Sequence, residues 1–323
     1  MDVIALDIGR SAVKIAAPNA KLLFPTAVCA AVDRSRLEVG DTAESSKRDT
    51  VEVDGVRYFI GETAVRQSRD KASEGLRADW IESPEHKALL KGAYAAAKRE
   101  SGASDGVLVL GLPSAYFAEQ RKRLAEIASL TLQIPVESVK VVPQPFGAYM
   151  ALMLDESAAI APKRNPLTEV WGVIDVGYFT TDYAMLNGGE WQAFAAESSG
   201  GTHKAAEQLM ALVKDAGMKL PEADEALRSR VVKNLGRVVS LDKEVDQVAE
   251  RLAAEIIGHA AQAFGDHLRR LDGILIAGGG AELVAGHIKD KWPHAETVPD
   301  ARYAVAEGMR RYYVGKLTAA EAG

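Results

Sequence analysis

Cysteine is almost missing from this chain. The one present, Cys29, sits in an apolar run where a buried core thiol is the plain reading, so neither a disulfide framework nor a catalytic thiol organises the fold. No apolar run approaches the length that crosses a bilayer, and Met1-Asp2 leads straight into a strand pattern without the basic stretch and apolar core of a secretion signal. A cytoplasmic protein with no membrane partner is expected. No Lys/Arg block interrupts a formal charge of −6, which argues against direct nucleic-acid binding, because that calls for a basic stripe. The six histidines lack metal-ligand spacing; even His259 and His267 read as surface or capping residues, and no structural metal is expected.

What remains is an ordinary globular composition, 47% apolar and 26% charged over 323 residues, enough for two cores. The most informative stretch runs from Val170 to Leu186. Trp171 to Val176 is rich in β-formers, Asp175 closes that strand, Gly177 lets the chain turn, and Thr180 and Thr181 begin a return strand. Main-chain N–H groups in such a turn can point at phosphate oxygens. Asp and Gly also end strands for reasons of turn geometry alone, so one hairpin decides little. The spelling occurs twice, however: Ile4-Ala5-Leu6-Asp7-Ile8-Gly9 returns as Gly172-Val173-Ile174-Asp175-Val176-Gly177, each copy followed by hydroxyls and a second apolar strand. Two related halves, each opening with an Asp-x-Gly hairpin, would face each other across a cleft and suit a magnesium nucleotide.

The first hairpin, Val3 to Leu6 and Val13 to Ala17, carries Asp7, Gly9, Arg10, Ser11 and Lys14; a plain surface hairpin would look the same. Leu22 to Val32 reads as a strand, Gly40 to Asp49 as a loop, and Thr50 to Ile60 as a hairpin about Asp54-Gly55, together a small β-rich insertion. A helix from Pro84 to about Glu100, a buried parallel strand Val107 to Gly111 and a helix Phe117 to Leu130 with a solvated Arg121-Lys122-Arg123 face follow. The strand Val139 to Val142 breaks at Pro143-Gln144-Pro145, which fixes Gln144 at a strand end, as a ligand-facing group or a polar turn residue. Past the second hairpin, Gly200-Gly201 stands at a helix N-terminus near His203. Helices are expected from Ala223 to Val239, with Arg230, Lys233 and Arg237 along one side, and from Lys243 to Arg270. The strand Gly273 to Ala277 ends in Gly278-Gly279-Gly280 and a helix Ala281 to Lys289, the order of a nucleotide-binding turn, before a closing helix from Tyr303 to about Leu317.

Together these stretches resemble the actin, sugar-kinase and heat-shock-chaperone ATPase superfamily, and within it the plasmid-segregating actins of the ParM/StbA type. Ile4 to Ala16 looks like the first phosphate loop, Val139 to Leu154 the first interdomain helix, Gly172 to Ala184 the second phosphate loop, Gly273 to Val284 the adenosine loop and Tyr303 to Gly315 the second interdomain helix. Ile276-Ala277-Gly278-Gly279-Gly280-Ala281-Glu282-Leu283 is the most specific piece. The resemblance implies an α/β, actin-like ATPase fold of two ribonuclease H-like halves flanking a nucleotide cleft. Domain I would take residues 1–146 and 302–323, with the insertion at about 20–80, and domain II residues 147–301.

It also implies roles. Asp7 and Asp175 would hold magnesium through water, and Lys14 would meet the phosphates admitted by Gly9 and Gly177, with Arg10, Ser11, Thr180 and Thr181 beside them. Gly200, Gly201 and Gly278 to Gly280 would approach ribose, phosphate and adenine. Gln144 would orient the attacking water, and an amide, which cannot act as a base, would leave hydrolysis slow. Arg10 departs from the family pattern, which has Ser there, and Tyr178-Phe179 replaces small residues. The expected protein is a slow ATPase, with GTP as the alternative nucleotide, that polymerises with itself and segregates plasmid DNA through a DNA-binding adaptor protein. A chromosomal or cell-shape actin homologue and a small-molecule kinase are the other readings.

Overall fold

The computed structural model describes residues 1–31, 47–68, 79–104 and 106–322. The chain divides into two compact units: Met1–Leu112, Tyr116–Pro143 and Met309–Gly323 form one, and Pro113–Ala115 with Gln144–Gly308 the other.

The first unit is built on β1 (Val3–Ile8), β2 (Ala12–Ala17) and β3 (Ala20–Pro25), an antiparallel meander. A small sheet beside it pairs β4 (Val28–Ala30), β5 (Thr50–Val53) and β6 (Val56–Ile60) in the order β4-β6-β5. Its β5–β6 turn uses Asp54 and Gly55, both at positive φ (52° and 78°), as a two-residue hairpin requires. The short helix α1 (Gly61–Gln67) follows. The helix α2 (Pro84–Ser101) starts where Ser83 accepts the His86 N–H and Pro84 takes the first turn, and it stops at Gly102 in the left-handed conformation. Its Leu89, Leu90, Ala93 and Ala97 are buried against the main sheet. β7 (Val107–Leu112) pairs in parallel with β1, and β8 (Val139–Pro143) with β7, on either side of α3 (Ser114–Leu132). The resulting order is β3-β2-β1-β7-β8.

The second unit repeats that plan. The helix α4 (Gln144–Met153) leads to β9 (Val170–Val176) and β10 (Thr180–Asn187), with β11 (Glu190–Trp191) and β12 (Glu197–Gly200) both on the outer edge of β10. The helices α5 (Thr202–Leu212) and α6 (Leu220–Ser229) precede a separate hairpin, β13 (Val231–Asn234) and β14 (Arg237–Ser240). Then come α7 (Asp242–Phe264), β15 (Gly273–Ala277), α8 (Ala281–Lys291), β16 (Ala295–Thr297) and α9 (Ala304–Ala322), whose last residues belong to the first unit. β15 is parallel to β9 and β16 to β15, so the order β11-β10-β9-β15-β16 matches the first sheet: antiparallel strands on one side of the opening strand, parallel ones on the other. Two α/β units, as expected from the sequence, are observed, with matching strand order.

Four local readings are corrected. The helix expected over Ala223–Val239 ends at Ser229 with Arg230 as its C-cap, and Lys233 and Arg237 lie on the β13–β14 hairpin. Arg230 leaves the helix in the left-handed region (φ 59°), Leu235-Gly236 makes a turn with φ 47° and 80°, and Val231, Val232, Val238 and Val239 favour strand. Arg230 fixes the hairpin's base through ion pairs to Asp242 (2.6 Å) and Asp246. The helix expected to reach Arg270 stops at Phe264, because Gly265 takes φ 49° and ψ −133°, and a short 3₁₀ turn runs on to Arg270. Cys29 is only half-buried: it is the middle residue of β4 and packs against the small cluster of Ala27, Phe59 and Ala64. The strand expected over Leu22–Val32 is two strands, β3 and β4; Val32 and most of the expected loop Gly40–Asp49 lie outside the described residues.

Candidate functional site

In the first unit the β1–β2 register sets Asp7 opposite Lys14, and their side chains form an ion pair of 2.9 Å with both groups largely buried. A carboxylate and an ammonium removed from water need each other, so the pair holds the two strand ends in register. Gly9 makes the turn. A Cβ there would lie 2.9 Å from the Ala12 carbonyl and 2.9 Å from Lys14 Nζ, too close for any other residue without a shift. The turn is braced from outside: Thr26 donates its hydroxyl to the Gly9 carbonyl (2.6 Å) and its N–H to the Ser11 carbonyl (3.0 Å). Arg10 carries its guanidinium 4.5 Å from the ring centroid of Trp80, and burial lowers its pKa to about 10. Asp7, Gly9, Arg10, Ser11 and Lys14 therefore share one hairpin.

In the second unit Gly177 repeats the geometry of Gly9. A Cβ on it would lie 2.7 Å from the carbonyl of Thr180, three residues on, as Ala12 is from Gly9, and its N–H donates to that carbonyl at 2.8 Å. The glycine turns then pack on one another. Gly201 presses against the carbonyls of Gly177 and Tyr178, and Thr202 and His203 donate their N–H groups to those two carbonyls at 3.0 and 2.9 Å. Gly278, at φ +88°, lies against Asp175 Oδ1 and 2.5 Å, measured from an added Cβ, from the Val176 carbonyl, which accepts the Gly280 N–H at 2.9 Å. Gly280 in turn abuts Thr202 and Val176. Asp175, Gly177, Gly201, Gly278 and Gly280 thus belong to one cluster of glycine turns in which the chain's own backbone approaches too closely to leave room for a Cβ. Gly279 differs: among the described residues a Cβ there would find only Arg302 Cγ at 3.9 Å, an ordinary contact.

Not every expected residue points outward. Thr181 is fully buried and donates its hydroxyl to the Gly200 carbonyl at 3.1 Å, so it closes the β10–β12 pairing. Thr180 donates to Asp182 at 2.9 Å. Gly200 lies against the Lys204 side chain, whose Nζ pairs with Glu255. Tyr178 and Phe179 meet edge to face at 4.8 Å, with Phe179 against His203 at 5.1 Å, so the bulky pair fills the outside of the turn. Gln144 is the half-buried first residue of α4.

Three residues were not singled out from the sequence. Asp182 faces Asp175 across the β9–β10 ladder and is 2% exposed. Burial raises its pKa, opposed by hydrogen bonds from Ser198 (2.6 Å), Thr180 and the Ser114 backbone. Counting residues across the hairpin from Asp175 would have placed it. Arg302 lies beside Gly279, with its pKa lowered first by burial and then by the nearby Arg228 charge. Trp80 stands seventy positions from Arg10, and no local pattern announces the contact. Among the described residues no group of three or more His, Cys, Asp or Glu could hold a metal ion by itself, so an ion bound here would take its remaining oxygens from water and ligand. The closely packed glycines and buried carboxylates fit a magnesium–phosphate group.

Comparison with known proteins identifies the fold. A family described as actin-like proteins, N-terminal domain, matches residues 5–147, and one described as archaeal actin homologue MreB-like, C-terminal, matches residues 173–290. A 15-stranded ParM filament from Clostridium botulinum is similar over 98% of this chain and 99% of its own, with TM-score 0.76 and 20% identity. The apo psk41 ParM protein is similar over 99% and 98% of the two chains (TM-score 0.71, 17% identity). Ta0583, an archaeal actin homologue solved in complex with ADP, is similar over the whole of both chains (TM-score 0.69, 20% identity). Comparison with curated proteins by sequence gave no match.

Proposed function

The chain belongs to the actin-like protein superfamily, and on that premise we propose that it is a filament-forming ATPase of the ParM type that acts in plasmid DNA segregation. The observation that carries the reading is the Asp-x-Gly hairpin built twice, with three glycine turns of the second unit packed on one another and Gly278 against Asp175. Asp175 and Asp7 would hold magnesium through water; Lys14, Arg10 and Ser11 would meet phosphates; Gly200, Gly201 and Gly278 to Gly280 would approach the ribose, phosphate and adenine. Magnesium, once bound, neutralises phosphate charge and orders water beside it. Gln144 would orient the attacking water without taking its proton, which keeps hydrolysis slow. Self-association would be the principal partnership, in keeping with the filament formed by the ParM protein of Clostridium botulinum, and a DNA-binding adaptor would link filament to plasmid.

Sedimentation with and without MgATP tests the reading. The protein should pellet above a critical concentration only with nucleotide. A chain that stays monomeric at all concentrations while passing phosphate to a small molecule would replace it with the kinase reading. The match to an archaeal MreB-like C-terminal domain favours a second reading, a chromosomal actin homologue. That one shares the assembly test and parts from the first when the chain's gene neighbours and DNA-binding adaptor are sought.

A further inference from the structure

Between α6 and α7 the chain makes a two-stranded ribbon, β13 and β14, that joins neither main sheet. Its inner side is accounted for: Val232 is buried with the core of the second unit, and Arg230 pins the base to Asp242 and Asp246. The rest is turned to solvent. All four residues of β14 are exposed, Val238 at 70% and Val239 at 44%, and Leu235 at the turn is 98% exposed. Among the described residues no strand pairs with the second edge of β14. Unpaired N–H and C=O groups on such an edge template another strand, so edges are ordinarily blunted by charge, proline or a bulge. β14 has no proline, its register with β13 runs without a bulge, and two valines occupy its middle.

The ribbon is also bipolar. Lys233 and Arg237 lie towards its tip, and no acid occurs from Val231 to Ser240. The base carries Asp242, Glu244 and Asp246 against Arg230 and Lys243. An antiparallel partner of the same sequence brings each basic tip beside the other's acidic base, with valines meeting in the middle, a favourable cross-strand pair. We propose that β14 is a self-complementary edge that pairs antiparallel with β14 of a second copy of this chain, joining two hairpins into one sheet. The contact is two-fold, so it closes at two copies and cannot by itself extend a polymer. Four residues a side also fall far below the roughly 20–30 of a stable interface. The pairing is therefore weak between free chains and gains strength where many copies are aligned, which makes it a lateral contact between filaments. The inference deepens the self-association proposed above and rests on that reading for the aligned copies.

Single cysteines test the symmetry. In the full chain carrying Cys29→Ser, Val238→Cys and Val239→Cys are oxidised with and without MgATP and run on non-reducing gels, after a check for native circular dichroism. Val56→Cys, at a position 47% exposed on the small sheet of the first unit, is the control. Pairing about the middle of β14 sets one of the two valine positions opposite its own copy, at a separation that a disulfide spans. That variant should give a cross-linked dimer that the control lacks, in a yield that MgATP raises. Adding Arg237→Glu should lower the yield about fivefold at low salt, because a tip-to-base charge pair is lost on each side. No cross-link at either β14 position, or an equal one at Val56→Cys, overturns the inference. Cross-linking without MgATP-dependent pelleting overturns the filament reading and leaves the paired hairpins standing; pelleting without cross-linking does the reverse.

Discussion

Two neighbouring glycines should respond in opposite ways to the same methyl group. In Gly278→Ala the added Cβ would lie 2.5 Å from the Val176 carbonyl and would overlap Asp175 Oδ1, in a backbone held at φ +88°. The left-handed backbone costs about 1 kcal/mol for a residue with a Cβ. The overlap is with main chain and a buried carboxylate, neither of which can swing aside, and relieving it costs about 1–3 kcal/mol. Together these predict a loss of about 2–4 kcal/mol, or roughly 5–15 °C in the melting of this unit. In Gly279→Ala the one atom within 4 Å among the described residues is Arg302 Cγ at 3.9 Å, an ordinary contact, so the change should stay within about 0.5 kcal/mol of wild type or stabilise slightly by restricting the unfolded chain.

Urea and thermal unfolding of the two variants, followed by circular dichroism, give the comparison, and MgATP calorimetry adds its functional side. Gly278→Ala pushes on the Asp175 carboxylate and should weaken MgATP as well as the fold. Equal destabilisation by both variants would refute the packing argument, because it would mean the triplet is glycine for flexibility throughout and not for the approach of Asp175 and Val176 at one position.

The remaining tests concern the carboxylates, the amide and the buried imidazole. Asp175→Ala should lower MgATP affinity roughly 10–100-fold, the usual effect of losing a group that orders a metal's water shell, and should cost more than Asp7→Ala; unchanged calorimetry would reduce Asp175 to a strand-end residue. Gln144→Ala should bind ATP and assemble while phosphate release falls by about tenfold or more, so that light scattering outlasts that of wild type; normal phosphate release would move the water-orienting role elsewhere. His86, with its folded pKa near 3 against the ordinary 6.5, stays neutral in the fold while the unfolded chain takes up a proton below pH 6.5. Stability attributable to this residue is therefore complete above pH 6.5 and declines as pH falls, by about 2 kcal/mol at pH 5. The stability gap between wild type and His86→Gln should shift by that amount between pH 7 and pH 5, and a gap independent of pH would contradict the buried neutral imidazole.

The parts of this molecule that could be read from its sequence are those whose cause is local. Asp-x-Gly followed by hydroxyls names both hairpins because the turn needs a residue without a Cβ three positions before a closing carbonyl, Ala12 in one case and Thr180 in the other. Gly278 to Gly280 could be read because a strand that stops in glycines and restarts as a helix has few other forms. The helix expected over Ala223–Val239 failed for an equally local reason: its paired valines satisfy both helical and alternating patterns, and the deciding residues were Leu235 and Gly236, whose turn geometry outweighs the helical periodicity. Arg10 on Trp80 was out of reach, since the contact depends on how α2 lies on the sheet and leaves no trace in spacing.

The expected order of the two aspartates follows from what stands across each strand pair. The hairpin is built twice with one geometry and two charge patterns: Asp7 faces Lys14, and Asp175 faces Asp182. In the first copy the ammonium at 2.9 Å already cancels the field of the carboxylate, so a cation arriving there must displace or share with Lys14. In the second, Asp175 faces Asp182, a buried acid whose pKa is raised by burial and whose oxygens accept hydrogen bonds from Ser198 and Thr180. Gly278 brings its backbone against Asp175 Oδ1. Because Asp7 is already committed to Lys14, Asp175→Ala is expected to cost more MgATP affinity than Asp7→Ala. If Asp7→Ala proved the more costly of the two for MgATP, the Lys14 pair would have to open on binding, and the cation would then be the principal phosphate ligand of the first hairpin.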